Sequence, residues 1–126
     1  MATLGAELLE VACGRVCIGL RPGVPVSQQD GLVHAGAIAA IADSACGYAA
    51  LTRMPEGSRV LSVEFKLNLL APAVGERVEA RAEVKRSGRT LSVVTADVFA
   101  VSSGREVLVA AMLSTMIRVR SVTGEG

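Results

Sequence analysis

Aromatic side chains are nearly missing from this chain: among 126 residues there are two Phe, one Tyr and no Trp. Little is left on which nucleic-acid bases could stack. An excess of one charge is also missing, since 13 Lys and Arg, scattered along the chain, oppose 12 Asp and Glu for a formal net charge of +1. With no broad basic surface to meet a phosphate backbone, no nucleic-acid role is expected. Cysteines are few and odd in number. Cys13, Cys17 and Cys46 lie in apolar or strand-like surroundings without a second Cys or His pair at zinc spacing, which argues against a disulfide framework and a structural metal. Reduced thiols in a cytoplasmic protein fit best, and no cofactor is expected. The opening MATLGAELLEVACGR has Glu7 and Glu10 before any base and no apolar core of signal-peptide length. The longest apolar run is broken by Asp43 and by glycines, which argues against a membrane span. The length suits one domain over residues 1–120, with SVTGEG at 121–126 as a flexible tail.

What is present begins with GLVHAGAIAAIADSACGYAAL, Gly31 to Leu51, an apolar run holding one histidine, His34, and one carboxylate, Asp43. Burying even an unpaired neutral polar group costs roughly 2 to 7 kcal/mol, and a charge costs more. Asp43 must therefore be paired or chemically employed. From Gly36 to Leu51 no proline intervenes, and Pro55 and Gly57 supply stop signals. The segment predicts one helix, apolar nearly all round, that must be covered on most sides at the centre of the domain.

SVEFKLNLL then alternates, with Val63, Phe65, Leu67 and Leu69 on one side and Ser62, Glu64, Lys66 and Asn68 on the other. That is the pattern of a half-buried strand. RVEARAEVK repeats it, turning Val78, Ala80, Ala82 and Val84 inward, and TLSVVTADVFAV and VLVAAMLSTMIRV supply two more strands. Their short connections predict an antiparallel meander. An early strand, LLEVACGRVCIGLR, with Gly14 as a bulge, completes the sheet. The expected architecture is α+β, a long central helix wrapped by a curved antiparallel sheet of about five strands.

GLVHAG, an acid nine positions after its histidine, and the following SVEFKLNLLAPA together resemble the hotdog-fold acyl-CoA thioesterases of the phenylacetate-degradation type. The usual signature of that family is Gly, two residues, His-Gly-Gly, then Asp or Glu inside the central helix. Gly31, His34, Gly36 and Asp43 occupy matching positions, and the order of elements agrees over nearly the whole chain. The resemblance implies a hotdog fold that hydrolyses an aryl or medium-chain acyl-CoA to free acid and CoA. It implies a homo-oligomer too, a dimer that continues the sheet and pairs into a tetramer.

The same resemblance assigns roles. Asp43 would be general base or nucleophile, and the Ala35 backbone N–H would contact the thioester oxygen. Gln28, six residues before the histidine, would donate a second hydrogen bond or orient the water, and Ser62, at the start of the next strand, would orient the water. Ala35 replaces the family's first glycine but keeps its N–H, and Gly47 stands where some branches carry Ser or Thr four residues after the acid. His34, just before a helix, suits a hydrogen-bonded anchor better than direct proton transfer. Gly31 and Gly36 suit backbone geometry, and Cys46 suits core packing.

CoA carries phosphates, for which Arg59, Lys85, Arg86 and Arg89 near turns are candidate contacts, with Arg53 beside them. Two other readings compete. One is an acyl-CoA-binding hotdog module that no longer hydrolyses. The other is a hotdog hydratase, whose Asp and His spacing is missing here.

Overall fold

Seventeen residues without a proline, Ala35–Leu51, form α1, within one residue of the expected start. The computed structural model describes residues 5–22 and 34–120. Before α1 lie β1 (Ala6–Ala12) and β2 (Arg15–Leu20), and after it β3 (Arg59–Leu69), β4 (Arg77–Ser87), β5 (Leu91–Ser102) and β6 (Arg105–Val119). All strand pairs are antiparallel, and they make one sheet in the order β1-β2-β4-β5-β6-β3. The curved sheet carries α1 on one face, so the α+β plan holds with six strands where about five were expected.

The sixth strand comes from the early segment. It is a hairpin of β1 and β2, and Gly14 is its turn and not a bulge: φ is +79° there, a conformation that costs glycine little. The expected meander also needs correction. β4, β5 and β6 follow one another, but β3 pairs with β6 at the far edge and leaves β4 to pair with β2. The chain between β3 and β4 therefore crosses from the edge to the interior of the sheet.

The core lies between α1 and the sheet. Ala37, Ile38, Ile41, Ala42, Ala45, Cys46, Ala49 and Ala50 are the buried stripe of the helix. They meet Ile18 and Leu20 on β2, Val78, Ala80 and Ala82 on β4, and Val94 and Val98 on β5. The alanines of the stripe let the helix approach the sheet closely. Truncating Ile41 to Ala would leave a cavity costing about 2 to 5 kcal/mol. β4 turns inward the residues its alternation predicts, with Val84 half-buried.

β3 departs from its half-buried expectation. Val63, Phe65 and Leu69 are all exposed, as is nearly the whole strand. It is an edge strand of which, among the described residues, only Val60 and Leu67 pack against the core, so most of its apolar row lacks a cover from the described residues. The opposite edge strand, β1, exposes Leu8, Leu9 and Val11.

Candidate active site

The start of α1 is built on His34. Its backbone is extended (φ −62°, ψ 139°), and its carbonyl accepts the Ala37 and Ile38 N–H groups at 3.0 and 3.2 Å. The Gly36 N–H donates to Nδ1 of its ring at 3.0 Å, so the neutral ring carries its proton on Nε2. An imidazole thus caps the helix where Ser, Thr, Asp or Asn is usual. Gly36 makes room for the ring, since a Cβ there would stand 3.3 Å from Nδ1. The Ala35 N–H meets no acceptor among the described residues. It points from the positive end of the helix dipole, where negative charge is favoured. Gln28 and Gly31, the remaining expected participants near this end, lie outside the described residues.

Two turns further along, Asp43 opens onto a cleft of about 310 Å³ lined by Ser44, Gly47, Tyr48, Leu51, Val60, Ser62 and Met116. Ser62 donates its hydroxyl to Oδ1 of Asp43 at 2.6 Å and lies 3.5 Å from the Met116 sulfur. The carboxylate is therefore half paired: Oδ2 has no hydrogen-bond partner among the described residues and is available to water or substrate.

Strict alternation would have turned Ser62 away from the helix, on the side of Glu64 and Lys66. The β3–β6 register slips between Ser62 and Glu64, leaving Val63 as an unpaired bulge. Ser62 pairs with Met116, and after the bulge Phe65 pairs with Ser114 and Leu67 with Met112, all facing the helix side. A bulge that re-aims one side chain is the local cause of the Asp43–Ser62 contact.

Of the expected site residues, the fold joins Asp43 and Ser62. His34, Ala35 and Gly36 stay at the helix start, about 12 Å of helical rise away. Ser44, Tyr48 and Leu51 were missed although they recur at helical spacing on the row next to Asp43. Val60 and Met116 had no local signal, because their place depends on strand register.

Arg59 follows the cleft, adjacent to Val60. It starts β3 opposite Val119, while Ile117 pairs with Leu91, and Ser92 with Ser87. This register gathers Arg59, Lys85, Arg86, Arg89, Arg118 and Arg120 at one end of the sheet. Lys85 makes an exposed 3.8 Å pair with Glu83. Arg118 donates to Ser58 at 2.9 Å. Arg53 lies against Gly14, next to a 2.7 Å hydrogen bond from the Gly14 N–H to Thr52 Oγ1, and so fastens the helix end to the hairpin.

Cys46, on the buried face beside this region, is no nucleophile. Burial, then the nearby Asp43 charge, pushes its thiol up to about 12. A second polar cluster covers the outer face of the sheet. Glu79 accepts from Arg77 and from Arg81, which also binds Glu106 at 2.6 Å and stacks 4.2 Å from the Phe99 ring centre. Burial alone would raise the Glu79 carboxyl, but hydrogen bonds and charge from Arg77 and Arg81 outweigh it and hold it below the usual value. Cys17 donates to the same carboxylate at 3.6 Å, and burial followed by that charge lifts its thiol to about 11. This cluster is an ion-pair network far from Asp43. Among the described residues no group of three or more His, Cys, Asp or Glu could hold a metal ion. No described helix is long and apolar enough to cross a membrane.

Against known proteins, a family model described as the thioesterase superfamily matches residues 30–107. Among curated proteins no significant match is found. A thioesterase family protein from Silicibacter pomeroyi is 45% identical over 96% of this chain and 89% of its own, with a TM-score of 0.92. A mutant of the phenylacetic acid degradation protein PaaI from Thermus thermophilus is 30% identical, covering 94% and 97%, with a TM-score of 0.79. A thioesterase from Haemophilus influenzae shares the fold at 21% identity, covering 99% and 85%, with a TM-score of 0.87.

Proposed function

This chain belongs to the thioesterase superfamily and is a hotdog-fold thioester hydrolase, and from that premise we propose that it hydrolyses acyl-CoA thioesters to free acid and CoA in the phenylacetate-degradation manner. The observation that carries the reading is the Asp43 carboxylate, set in an apolar cleft, anchored through Oδ1 by Ser62 and open at Oδ2.

A thioester needs an attacking oxygen, a home for charge on its carbonyl oxygen and a held water. As general base, Asp43 takes a proton from water while the water oxygen attacks the carbonyl carbon; the C–S bond then breaks and the proton held by Asp43 passes to the departing sulfur, so that CoA leaves as its thiol. As nucleophile, Asp43 attacks the carbonyl itself, CoA departs, and water cleaves the resulting anhydride. Both routes require the same carboxylate. In either, the Ala35 N–H stabilises the developing oxyanion and Ser62 fixes the carboxylate. Gln28 would add a donor or orient the water.

A single substrate carbonyl cannot touch Ala35 and Asp43 of one helix, because about 12 Å of helical rise separates them. The reading therefore calls for a homo-oligomer in which one chain supplies the helix start and its partner supplies Asp43. The exposed β3 edge, with Val63, Phe65 and Leu69 uncovered, suits a dimer that continues the sheet, and pairs of dimers would give a tetramer. Arg59, Lys85, Arg86 and Arg89, at the sheet end next to the cleft, are the proposed contacts for CoA phosphates. Three unpaired thiols suit a reducing compartment such as the cytoplasm.

The test is a panel of acyl-CoA thioesters with free thiol release as readout. Turnover of at least one member, lost in Asp43→Asn, is expected. Binding of acyl-CoA without thiol release from any member would leave the non-hydrolytic module in its place.

A further inference from the structure

His34 acts on the first turn of α1 through both its backbone and its ring. Its carbonyl accepts the Ala37 and Ile38 N–H groups at 3.0 and 3.2 Å, so that carbonyl is turned into the helix. The peptide unit joining His34 to Ala35 is planar and trans, which sets its N–H opposite its carbonyl. The Ala35 N–H is thereby directed back out of the helix start.

The next amide would compete with it. The N–H groups of a first helical turn lack carbonyl partners one turn back, and two free neighbours would divide a developing negative charge between two positions. Here the Gly36 N–H is withdrawn, since it donates to Nδ1 of the His34 ring at 3.0 Å. Of the amides of Ala35, Gly36 and Ala37, only that of Ala35 has no acceptor among the described residues.

The ring fits because position 36 carries no side chain. A Cβ there would stand 3.3 Å from Nδ1 and 3.7 Å from Cε1, close enough to push the ring aside by a few tenths of an ångström. Backbone conformation gives no reason for this glycine, which is absent from the positions with positive φ. His34 and Gly36 are a matched pair.

We propose that His34 is a positioning residue: its imidazole ties down the Gly36 amide and leaves the Ala35 N–H as the single donor presented to the thioester oxygen, with position 36 kept free of a side chain to admit the ring. The proposal rests on the thioesterase reading and has the histidine act through Ala35, not by moving a proton.

The test joins amide hydrogen exchange, followed by NMR on the full chain, to steady-state thiol release. In the wild type the Gly36 amide should exchange about tenfold or more slowly than that of Ala35, and in His34→Ala the two should exchange alike. His34→Ala should lower kcat about 2- to 30-fold, the range for loss of a helix cap, with KM held within about twofold. His34→Asn, whose side-chain oxygen can accept the same N–H, should recover most of kcat. Gly36→Ala should lower kcat in the wild-type background but not together with His34→Asn, whose shorter side chain leaves room for the methyl. This pair decides the matter if His34→Ala does not fold. Unchanged kcat in folded His34→Ala, no recovery in His34→Asn, an equal loss from Gly36→Ala in both backgrounds, or an Ala35 amide as slow as that of Gly36 would overturn the assignment. If the wild type releases no thiol from any acyl-CoA, the hydrolysis reading falls, and exchange at Ala35 and Gly36 still decides whether the ring leaves a single free donor.

Discussion

Ser62 and Asp43 stand 19 residues apart in sequence, on an edge strand and on the central helix, and meet in a 2.6 Å hydrogen bond. The contact exists because Val63 drops out of the β3–β6 pairing and turns Ser62 toward the helix. A hydrogen bond to a charged group contributes about 1.5 to 3 kcal/mol, enough to hold the carboxylate in one orientation.

Asp43→Asn keeps the shape of the carboxylate and removes its charge, so hydrolysis should fall on the order of 100-fold or more in a folded protein. Ser62→Ala acts only through Asp43 and should cost about 10- to 100-fold in kcat. Ser62→Thr, which keeps the hydroxyl, should recover most of that. Steady-state thiol release reads all three, and retention of a third of wild-type turnover by Asp43→Asn would remove Asp43 from the chemistry.

The bulge also shows where sequence reading reaches its limit. Helix α1 was legible to within one residue because apolar composition, the lack of proline and the Pro55–Gly57 stop are all local. The inward face of β4 was legible for the same reason, since alternation within one strand needs no partner. The signal for Ser62, by contrast, is the family resemblance, while its own alternation assigns it to the opposite face. A bulge is a property of two paired strands and leaves no local mark in either. The missed hairpin at Gly14 and the displaced β3 belong to the same class: which strands pair is decided by long-range packing, and one sequence carries that only weakly.

Ala35 offers a backbone group that mutation can remove without breaking the helix. It occupies the first helical position, where proline is well accommodated because the N–H there has no intrahelical partner. His34 before it is already extended, at ψ 139°, as a residue preceding proline must be. Ala35→Pro should thus fold and yet lose about 2.7 to 4 kcal/mol of transition-state stabilisation, whereas Ala35→Gly should stay within several-fold of wild type. Equal kcat/KM for wild type and a folded proline variant would dispose of the oxyanion role.

The outer-face network predicts an acid-sensitive part of stability. The Glu79 side chain is only 10% exposed, and its folded carboxyl is held below the ordinary 4.5. A lowered carboxyl stabilises the fold at pH values above its unfolded pKa and loses that contribution as pH falls through the folded one. Glu79→Gln, which leaves Arg77 and Arg81 without their anion, should cost about 1 to 3 kcal/mol at pH 7. Urea unfolding at pH 7 and again near pH 3 should show the gap between wild type and variant closing on acidification. A gap of equal size at both values would mean that the Glu79 charge contributes nothing.

The proposed sharing of sites between chains is argued from helix geometry, and subunit mixing tests it. Ala35→Pro damages the oxyanion donor of one site half, and Asp43→Asn the carboxylate of the other. Each parent dimer carries the same defect in both sites and should be inactive. In a mixed dimer one site collects both defects and the other collects neither, because its Ala35 comes from the chain carrying Asp43→Asn and its Asp43 from the chain carrying Ala35→Pro. After random exchange about half the dimers are mixed and each holds one sound site, so activity per chain should return to about a quarter of wild type. Exchange is followed by mass spectrometry of differently labelled chains. If exchange is complete and activity stays at the level of the parents, both groups serve a site within a single chain, and the separation of about 12 Å must then be spanned by some movement of the helix start.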